Sequence, residues 1–195
     1  MPSPSYTEWQ REGLPRLDEL EQLHVDARGA GPGRRWGTQQ LNRSLLVALV
    51  AQFQTYCRSL HDDGIDVHVS HNDAHQGDLL RTLMTQGRKL DTQNPRTSVL
   101  ASDFLRVGFN IVDALKAEGP VTVAALASLD ALVGFRKGVV HGNETEIAAL
   151  SGAGQVKATM TSYRAHRRTV IRLVANMDRV TARQLGQLLR VPPPW

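Results

Sequence analysis

Residues 38–63, TQQLNRSLLVALVAQFQTYCRSLHDD, hold the most regular pattern of apolar side chains in the chain. Large apolar residues recur there at steps of three and four, which places side chains on one face of an α-helix. These residues are Leu41, Leu45, Leu49, Phe53, Tyr56 and Leu60. The pattern predicts a long amphipathic helix that begins near Thr38, a suitable N-cap, and is ended by Gly64. We expect the fold to form around this helix.

Helical spacing recurs along the rest of the chain. The expected helices cover residues 14–23, about 74–90, 104–115, 126–140 and 160–177, with a terminal turn or helix at Leu185 and Leu188. Residues 65–70 alternate apolar and polar side chains, which fits a short strand or an extended loop, and we favour the loop. Because the connections are short and no strand-helix alternation occurs, the sequence predicts an all-α helical bundle with a long central helix.

The predicted organisation is a single domain in three parts. Residues 1–33 form an N-terminal helix and linker, in which the glycines and proline of residues 29–33 interrupt the helical spacing. Residues 34–180 form the core bundle, and residues 181–195 form a C-terminal extension that ends in three consecutive prolines.

Composition excludes several classes of protein. The chain has 195 residues and a net charge of +4, and only four of its 23 cationic residues are lysines, so 19 are arginines. Arginine binds phosphate through two parallel hydrogen bonds, so an acidic partner is expected and nucleic acid is compatible. A single cysteine, Cys57, excludes an internal disulfide and a cysteine-based zinc site. Because no apolar run is long enough for a membrane span and no secretory signal is recognisable, we expect a cytoplasmic protein.

Residues 135–144, FRKGVVHGNE, form the polar segment from which function is most readily inferred. Gly142 suits the position that follows a helix. Asn143 suits the N-cap of the next helix, and Glu146 would complete a capping box. His141 is therefore expected at a junction between two helices, where its side chain is accessible.

Arg136 and His141 are five residues apart, which is about 140° of rotation on an ideal helix. The two side chains therefore do not share a helix face. They meet only if the helix ends between residues 138 and 142, or if two chains bring their helix ends together at a two-fold axis.

An Arg followed by four residues and a His at a helix end resembles the signature of the HEPN superfamily, in which four to six residues separate the pair. The phrase from Arg136 to Asn143 looks like the ribonuclease branch called RiboL-PSP-HEPN. Residues 36–46 (WGTQQLNRSLL) and 53–56 (FQTY) look like the same branch. The resemblance covers roughly residues 34–179.

The resemblance implies a metal-independent endoribonuclease without a cofactor, often a toxin or an anti-phage effector. It implies a homodimer with both Arg-His pairs lining one cleft. A ribose 2′-OH would attack its own 3′-phosphate and leave a 2′,3′-cyclic phosphate. His141 would then be the general base or acid, and Arg136 would bind the phosphate and stabilise its developing charge.

Three further residues near the motif are expected to contact the substrate. Lys137 occupies a position where active members usually carry Asn or another small polar residue, and its cation can still attract phosphate. Asn143 stands where the branch modified by a partner nucleotidyltransferase carries Tyr. Gln54 stands where a Glu is common, and its amide either lines the site or is hydrogen-bonded in the core.

A basic face is predicted on the last long helix. Arg164, Arg168 and Arg172 follow one another at i, i+4 spacing. This face either contacts an RNA backbone or is simply solvated, and the first two residues are added to the expected substrate contacts.

A histidine- and aspartate-rich segment follows the central helix. Its members are His61, Asp62, Asp63, Asp66, His68, His71, Asp73 and His75. Imidazole and carboxylate groups can bind zinc or nickel, but the spacing is irregular and no HExxH pattern occurs. We therefore favour a polar loop and predict no metal site.

RNA cleavage is the leading functional hypothesis, with a homodimer and an antitoxin or regulatory protein as expected partners. The first alternative is a non-catalytic HEPN-like module that binds RNA, a nucleotide or a protein. The second is a helical interaction protein whose basic helix docks an acidic antitoxin or regulator.

Overall fold

The structure is a computed structural model that describes residues 1–27, 35–72 and 74–195. Every regular element in these ranges is helical, and no strand occurs among them, which confirms the all-α bundle. A π-helical turn at Trp9–Gly13 and 3₁₀ turns at Lys89–Asp91 and Leu105–Val107 supplement the α-helices. The α-helices are α1 (Pro4–Glu8), α2 (Leu14–Ala27), α3 (Arg35–Ser70), α4 (Ala74–Thr85), α5 (Thr97–Phe104), α6 (Ile111–Lys116), α7 (Pro120–Val140), α8 (Glu144–Gly152) and α9 (Met160–Leu189).

Helix α3 is the centre of the bundle, as predicted. It packs against α1, α2, α4, α7 and α9. The predicted apolar face is buried from Leu45 to Leu60, whereas Leu41 is 37% exposed. Each large apolar side chain that is fully buried contributes about 1.5–3 kcal/mol relative to an exposed one. The hydroxyl of Tyr56 also donates to the Val174 carbonyl at 3.0 Å, which joins α3 to α9.

The predicted end of the central helix at Gly64 is wrong. Helix α3 continues to Ser70, so the predicted loop at residues 65–70 is helical as well. Gly64 lies against α3's neighbour Val107, with the site of an added Cβ only 3.6 Å from the valine side chain. Ile65 is fully buried on the same helix. Packing therefore outweighs the cost of about 1 kcal/mol that glycine imposes on a helix interior.

The predicted continuous helix over residues 104–115 is also wrong. Helix α5 ends at Phe104, and α6 begins at Ile111. Between them Gly108 has φ of +97°, in the left-handed region, which breaks the helix. The four apolar residues that suggested this helix are nevertheless buried, namely Phe104, Val107, Ile111 and Leu115. The predicted helix over residues 74–90 likewise stops early, at Thr85.

The two long C-terminal helices follow the prediction more closely. Helix α7 begins at Pro120, six residues before the predicted start at residue 126, and ends at Val140 as predicted. Helix α9 runs without a break past residue 180 to Leu189, and Leu185 is fully buried. Residues 181–189 thus belong to the bundle helix. Within the described ranges no helix has the length and apolar character needed to cross a membrane.

Candidate anion-binding cleft

Helix α7 ends in a Schellman turn that fixes the position of His141. The amide of Asn143 donates to the Gly138 carbonyl at 2.8 Å, and the amide of Gly142 donates to the Val139 carbonyl at 3.3 Å. Gly142 has φ of +64°, so its predicted place after the helix is confirmed. His141 is the C-cap and its side chain is exposed.

Asn143 caps helix α8, as predicted, because its Oδ1 accepts from the amide of Glu146 at 3.1 Å. The predicted capping box is only partly correct. The Glu146 carboxylate accepts from the Asn143 side-chain amide at 3.4 Å, since the Asn143 backbone amide is already bonded to Gly138. The side chain of Asn143 is therefore engaged in the turn between α7 and α8.

Arg136, Lys137 and His141 line one cleft of about 430 Å³, within a single chain. On a continuous helix, the five-residue spacing would direct Arg136 and His141 to different faces. Here α7 ends at Val140 and His141 is its C-cap, so both residues line the cleft. The facing wall is the segment between the 3₁₀ turn at Lys89–Asp91 and the first turn of α5. It contributes Thr92, Gln93, Asn94, Arg96, Ser98 and Val99. The volume falls within the range of about 300–1,000 Å³ that is typical of small-molecule sites.

The cleft is strongly cationic. Its lining includes Arg96, Arg136, Lys137 and His141 and no carboxylate from the described residues. None of these side chains forms an ion pair with another described residue, and the Nε of Arg136 is buried without a hydrogen-bond partner. Cations grouped in this way repel one another unless an anion lies between them. The arrangement is suited to binding phosphate or another oxyanion.

Gln54 supports the facing wall and does not line the cleft. Its side-chain amide donates to the carbonyls of Leu90 and Gln93, each at 2.9 Å. Arg58 from the same helix donates to the Leu90 carbonyl at 2.7 Å. Of the two roles left open for Gln54, the structure therefore shows a hydrogen-bonded amide, one that holds the segment carrying Gln93 in place.

A buried carboxylate binds the backbone at the start of the same wall. Asp103 of α5 is fully buried and accepts from the amides of Lys89 and Leu90 at 3.0 and 2.7 Å. On the other side, Asp130 of α7 accepts from the amide and hydroxyl of Thr97 at 2.9 and 2.6 Å. The wall is thus attached to both α5 and α7, which fixes its distance from Arg136.

The segment that resembles the ribonuclease branch contributes an anchor beside the cleft. Arg43 forms two hydrogen bonds with the carboxylate of Glu144, at 2.7 and 2.8 Å, and Asn42 donates to the Ala158 carbonyl at 3.0 Å. Hydrogen bonding to Arg43 holds the pKa of Glu144 below its usual value. Trp36 lies among the residues whose side chains are outside the described part of the structure.

The predicted basic face of α9 does not line the cleft. Part of its charge is neutralised by ion pairs with α2. Arg164 and Arg167 pair with Glu21 of α2 at 2.7 and 3.1 Å, and Arg167 also pairs with Asp18. Arg168 remains exposed, as does Arg172. Docking of α2 therefore engages one of the two arginines that were expected to contact substrate and leaves the other accessible.

The histidines near the end of α3 bind backbone carbonyls. His61 bonds to the carbonyl of Asp103 and His68 to that of Val107, each at 3.0 Å, while His71 bonds to that of Val67 at 2.7 Å. Burial and, to a lesser degree, the nearby Arg88 lower the pKa of His61. The described residues contain no group of three or more His, Cys, Asp or Glu side chains arranged to hold a metal ion. Asp73 and the His75 side chain lie outside the described residues.

Arg96 is the charged residue of the cleft that the sequence did not reveal. It lies directly before α5, which begins at Thr97, whereas the sequence predicted the next helix only from residue 104. No local pattern shows that this helix start faces the end of α7, because that contact depends on tertiary packing. The predicted pair Arg136 and His141, by contrast, is found together with Lys137 in the same cleft.

Comparison of the chain with known protein families, with curated proteins and with solved structures found no match in any of the three. The geometry of the cleft and the resemblance of its motif are therefore the basis for assigning a function.

Proposed function

We propose that the cleft binds the phosphate backbone of RNA and that Arg136 and His141 cleave it without a metal ion. The observation that carries the proposal is the grouping of Arg136, Lys137 and His141 in one cleft lined by no described carboxylate. RNA supplies both the anion that this cleft suits and a 2′-OH that serves as an internal nucleophile. The HEPN resemblance of the motif supports the same assignment.

The proposed chemistry is a transesterification. The 2′-oxygen forms a bond to the adjacent phosphorus while the bond from phosphorus to the 5′-oxygen breaks, which leaves a 2′,3′-cyclic phosphate. His141 accepts the 2′-OH proton or donates a proton to the departing 5′-oxygen. The Arg136 guanidinium binds the non-bridging oxygens, whose negative charge grows in the transition state.

A homodimer would complete the acid-base pair. One chain contributes a single histidine to its cleft, whereas the reaction benefits from a base and an acid acting together. His141 is exposed at a helix end, where a second copy of the chain can approach it. We therefore include in the proposal a composite site with one His141 from each protomer. The proposed role is that of a cytoplasmic toxin or anti-phage effector, and the proposed partner is an antitoxin or regulatory protein that inhibits it.

The second candidate is a non-catalytic module that binds RNA, a nucleotide or a protein. The observation that favours it is that the described lining of the cleft holds one histidine and no carboxylate. Gln54, at the position where a Glu is common, is bonded to backbone carbonyls instead. These features permit binding of an anion without chemistry.

An RNase assay with excess EDTA separates the candidates. We expect total RNA to be cleaved to products with cyclic-phosphate ends, and His141→Ala to reduce the rate by about 10²–10⁴-fold, the usual contribution of general acid-base catalysis. His71→Ala is a matched control, because among the described residues this exposed histidine bonds only to Ser70 and the Val67 carbonyl, in its own turn. Binding of RNA without cleavage would favour the module, and loss of activity in EDTA would contradict the mechanism.

A further inference from the structure

We infer that Arg96 is a second phosphate-binding residue of the cleft, which contacts the RNA backbone from the wall opposite Arg136. The inference rests on the proposed function, because it takes RNA as the ligand. It goes beyond the motif, since Arg96 lies 40 positions before Arg136 in the sequence and on another helix.

The backbone of Arg96 is held in a fixed place. Arg96 is the N-cap of α5 and has an extended conformation, and its carbonyl accepts from the amides of Val99 and Leu100 at 3.0 and 2.9 Å. The next residue, Thr97, is attached to Asp130 of α7 by two hydrogen bonds. The start of α5 is therefore held against α7, the helix that contains Arg136.

The guanidinium of Arg96 approaches α7 at Gly134. Its Nη2 lies 3.7 Å from the place where a Cβ of Gly134 would stand. Gly134 itself is buried and precedes Arg136 by two residues, so the Arg96 guanidinium lies against α7 close in sequence to the cleft. Arg96 lines the same cleft as Arg136, Lys137 and His141.

The hydrogen-bond donors of Arg96 remain available to a ligand. Asp130 uses both carboxylate oxygens to accept from Thr97, and the Oε2 of Glu146 accepts from Asn143 at 3.4 Å. In contrast, Arg43 and Arg88 each form short ion pairs within the protein. Arg96 is exposed and forms no such pair with a described residue, so its donors can bind an anion that enters the cleft.

The chemistry of the ligand follows from the grouping. Two guanidinium groups and one ammonium group favour a ligand with several negative charges, and the planar fork of arginine fits the paired oxygens of a phosphodiester. The cleft is also large enough for more than a single phosphate ion. A run of backbone phosphates on single-stranded RNA satisfies both conditions.

The test measures binding of a 2′-O-methyl hexaribonucleotide, which lacks the nucleophile and is not cleaved. We expect Arg96→Gln to weaken binding about tenfold and to make the slope of log K against log salt concentration less negative by about 0.7, the value for one phosphate contact on a single strand. Arg96→Lys should recover part of the affinity. Arg11→Gln is the charge-matched control, because Arg11 is 72% exposed in its side chain and pairs only with the adjacent Glu12.

The outcomes distinguish this inference from the proposed function. Unchanged binding and an unchanged salt slope in Arg96→Gln, with binding lost in Arg136→Gln, would overturn the role of Arg96 and leave the proposed function standing. A slope that depends on Arg96 in a protein that cleaves no RNA would support Arg96 and refute the catalytic proposal. Absence of RNA binding by the wild type would overturn both. Unfolding curves of each variant verify that the fold is retained.

Discussion

Arg43 and Glu144 form a bidentate ion pair, with N···O distances of 2.7 and 2.8 Å, that joins α3 to the first residue of α8. The Arg43 side chain is only 11% exposed, whereas that of Glu144 is 67% exposed. The pair therefore connects the central helix to the turn that positions His141, three residues before Glu144. Two sequence-distant segments, each part of the proposed resemblance, meet in this contact.

Breaking this pair should loosen the turn that carries His141. Arg43→Gln removes both charge-assisted hydrogen bonds to Glu144. We expect it to lower the free energy of unfolding by about 1 kcal/mol, because the pair is partly exposed and solvent screens it. The same variant should slow RNA cleavage more than it weakens RNA binding. Arg11→Gln, which removes an exposed ion pair, should leave both the stability and the activity at wild-type values. An equally small effect of both variants in urea unfolding would refute the anchoring role of Arg43.

Replacing Gly142 should destabilise the end of α7 without a steric clash. Its φ of +64° disfavours any residue with a Cβ, although nothing lies within 4 Å of the place where that Cβ would stand. Gly142→Ala should therefore cost about 1 kcal/mol in urea unfolding, from backbone conformation alone. Gly152→Ala is the matched control, because Gly152 also has free space but lacks a positive φ. Equal stability of the two variants would contradict the argument.

Removing the side-chain amide of Gln54 should release the wall opposite Arg136. Gln54→Met loses both hydrogen bonds to the carbonyls of Leu90 and Gln93, and we expect a loss of about 1 kcal/mol in stability with weaker binding of RNA. Gln54→Glu should be more harmful, since a carboxylate cannot donate to these carbonyls. On the same helix, Gln52→Met should have little effect, because the Gln52 side chain makes no hydrogen bond within the described part of the chain. Equivalent binding isotherms for Gln52→Met and Gln54→Met would argue against this support.

Neutralising the carboxylates of α2 should free the basic face of α9. The double variant Asp18→Asn with Glu21→Gln removes the partners of Arg164 and Arg167. We expect lower thermal stability, together with RNA binding that depends more steeply on salt because more cations are available. Glu19→Gln, an exposed position on the same helix, should change only the net charge. A salt slope that is the same in the double variant and in Glu19→Gln would exclude α9 from RNA binding.

Acid should destabilise the protein through His166. Burial lowers the pKa of His166 from 6.5, and a hydrogen bond with the Gln155 backbone opposes the shift. The unfolded chain therefore takes up a proton at a higher pH than the folded protein does. Stability is unaffected well above pH 6.5 and falls as the pH drops below it, by at most about 1.4 kcal/mol per pH unit for one histidine.

The corresponding measurement is urea unfolding of the wild type and His166→Gln between pH 8 and pH 5.5. The variant should show a smaller decline, although not a flat profile, because burial lowers the pKa of His61 in the same direction. At pH 8 both histidines are neutral in both states, so values there report the loss of the packing and hydrogen bonds of His166, which include those with Ser128 and Gln155. Parallel profiles for the two proteins would refute a contribution from His166.

The periodic parts of the fold could be predicted because apolar spacing reports directly on burial. The face from Leu45 to Leu60 is buried as expected. The same spacing failed at Gly108, where apolar residues on both sides keep a helical rhythm across a left-handed turn. At Gly64 the error was the opposite one, because a helix end was predicted where the helix continues. Packing against Val107 accompanies this glycine inside the helix.

Only the part of the candidate site that comes from one short segment of sequence could be predicted. Arg136, Lys137 and His141 belong to one helix end, so a ten-residue stretch is enough to suggest them. Arg96 reaches the cleft by packing of α5 on α7, which no local pattern reports. The pairing of Arg164 with Glu21 was missed for the same reason, because the carboxylate comes from a helix more than 140 residues earlier.

The internal pairing of arginines determines where the molecule presents its positive charge to solution. Arg43, Arg88 and Arg167 are compensated by nearby carboxylates, whereas the cations of the cleft are not. A diffusing polyanion would therefore be attracted to the cleft, and also to the exposed Arg168 and Arg172 of α9, and such steering raises association rates by about 10–10³-fold. The rate of capture should fall sharply as the screening length shortens from about 30 Å at 0.01 M ionic strength to about 8 Å at 0.15 M.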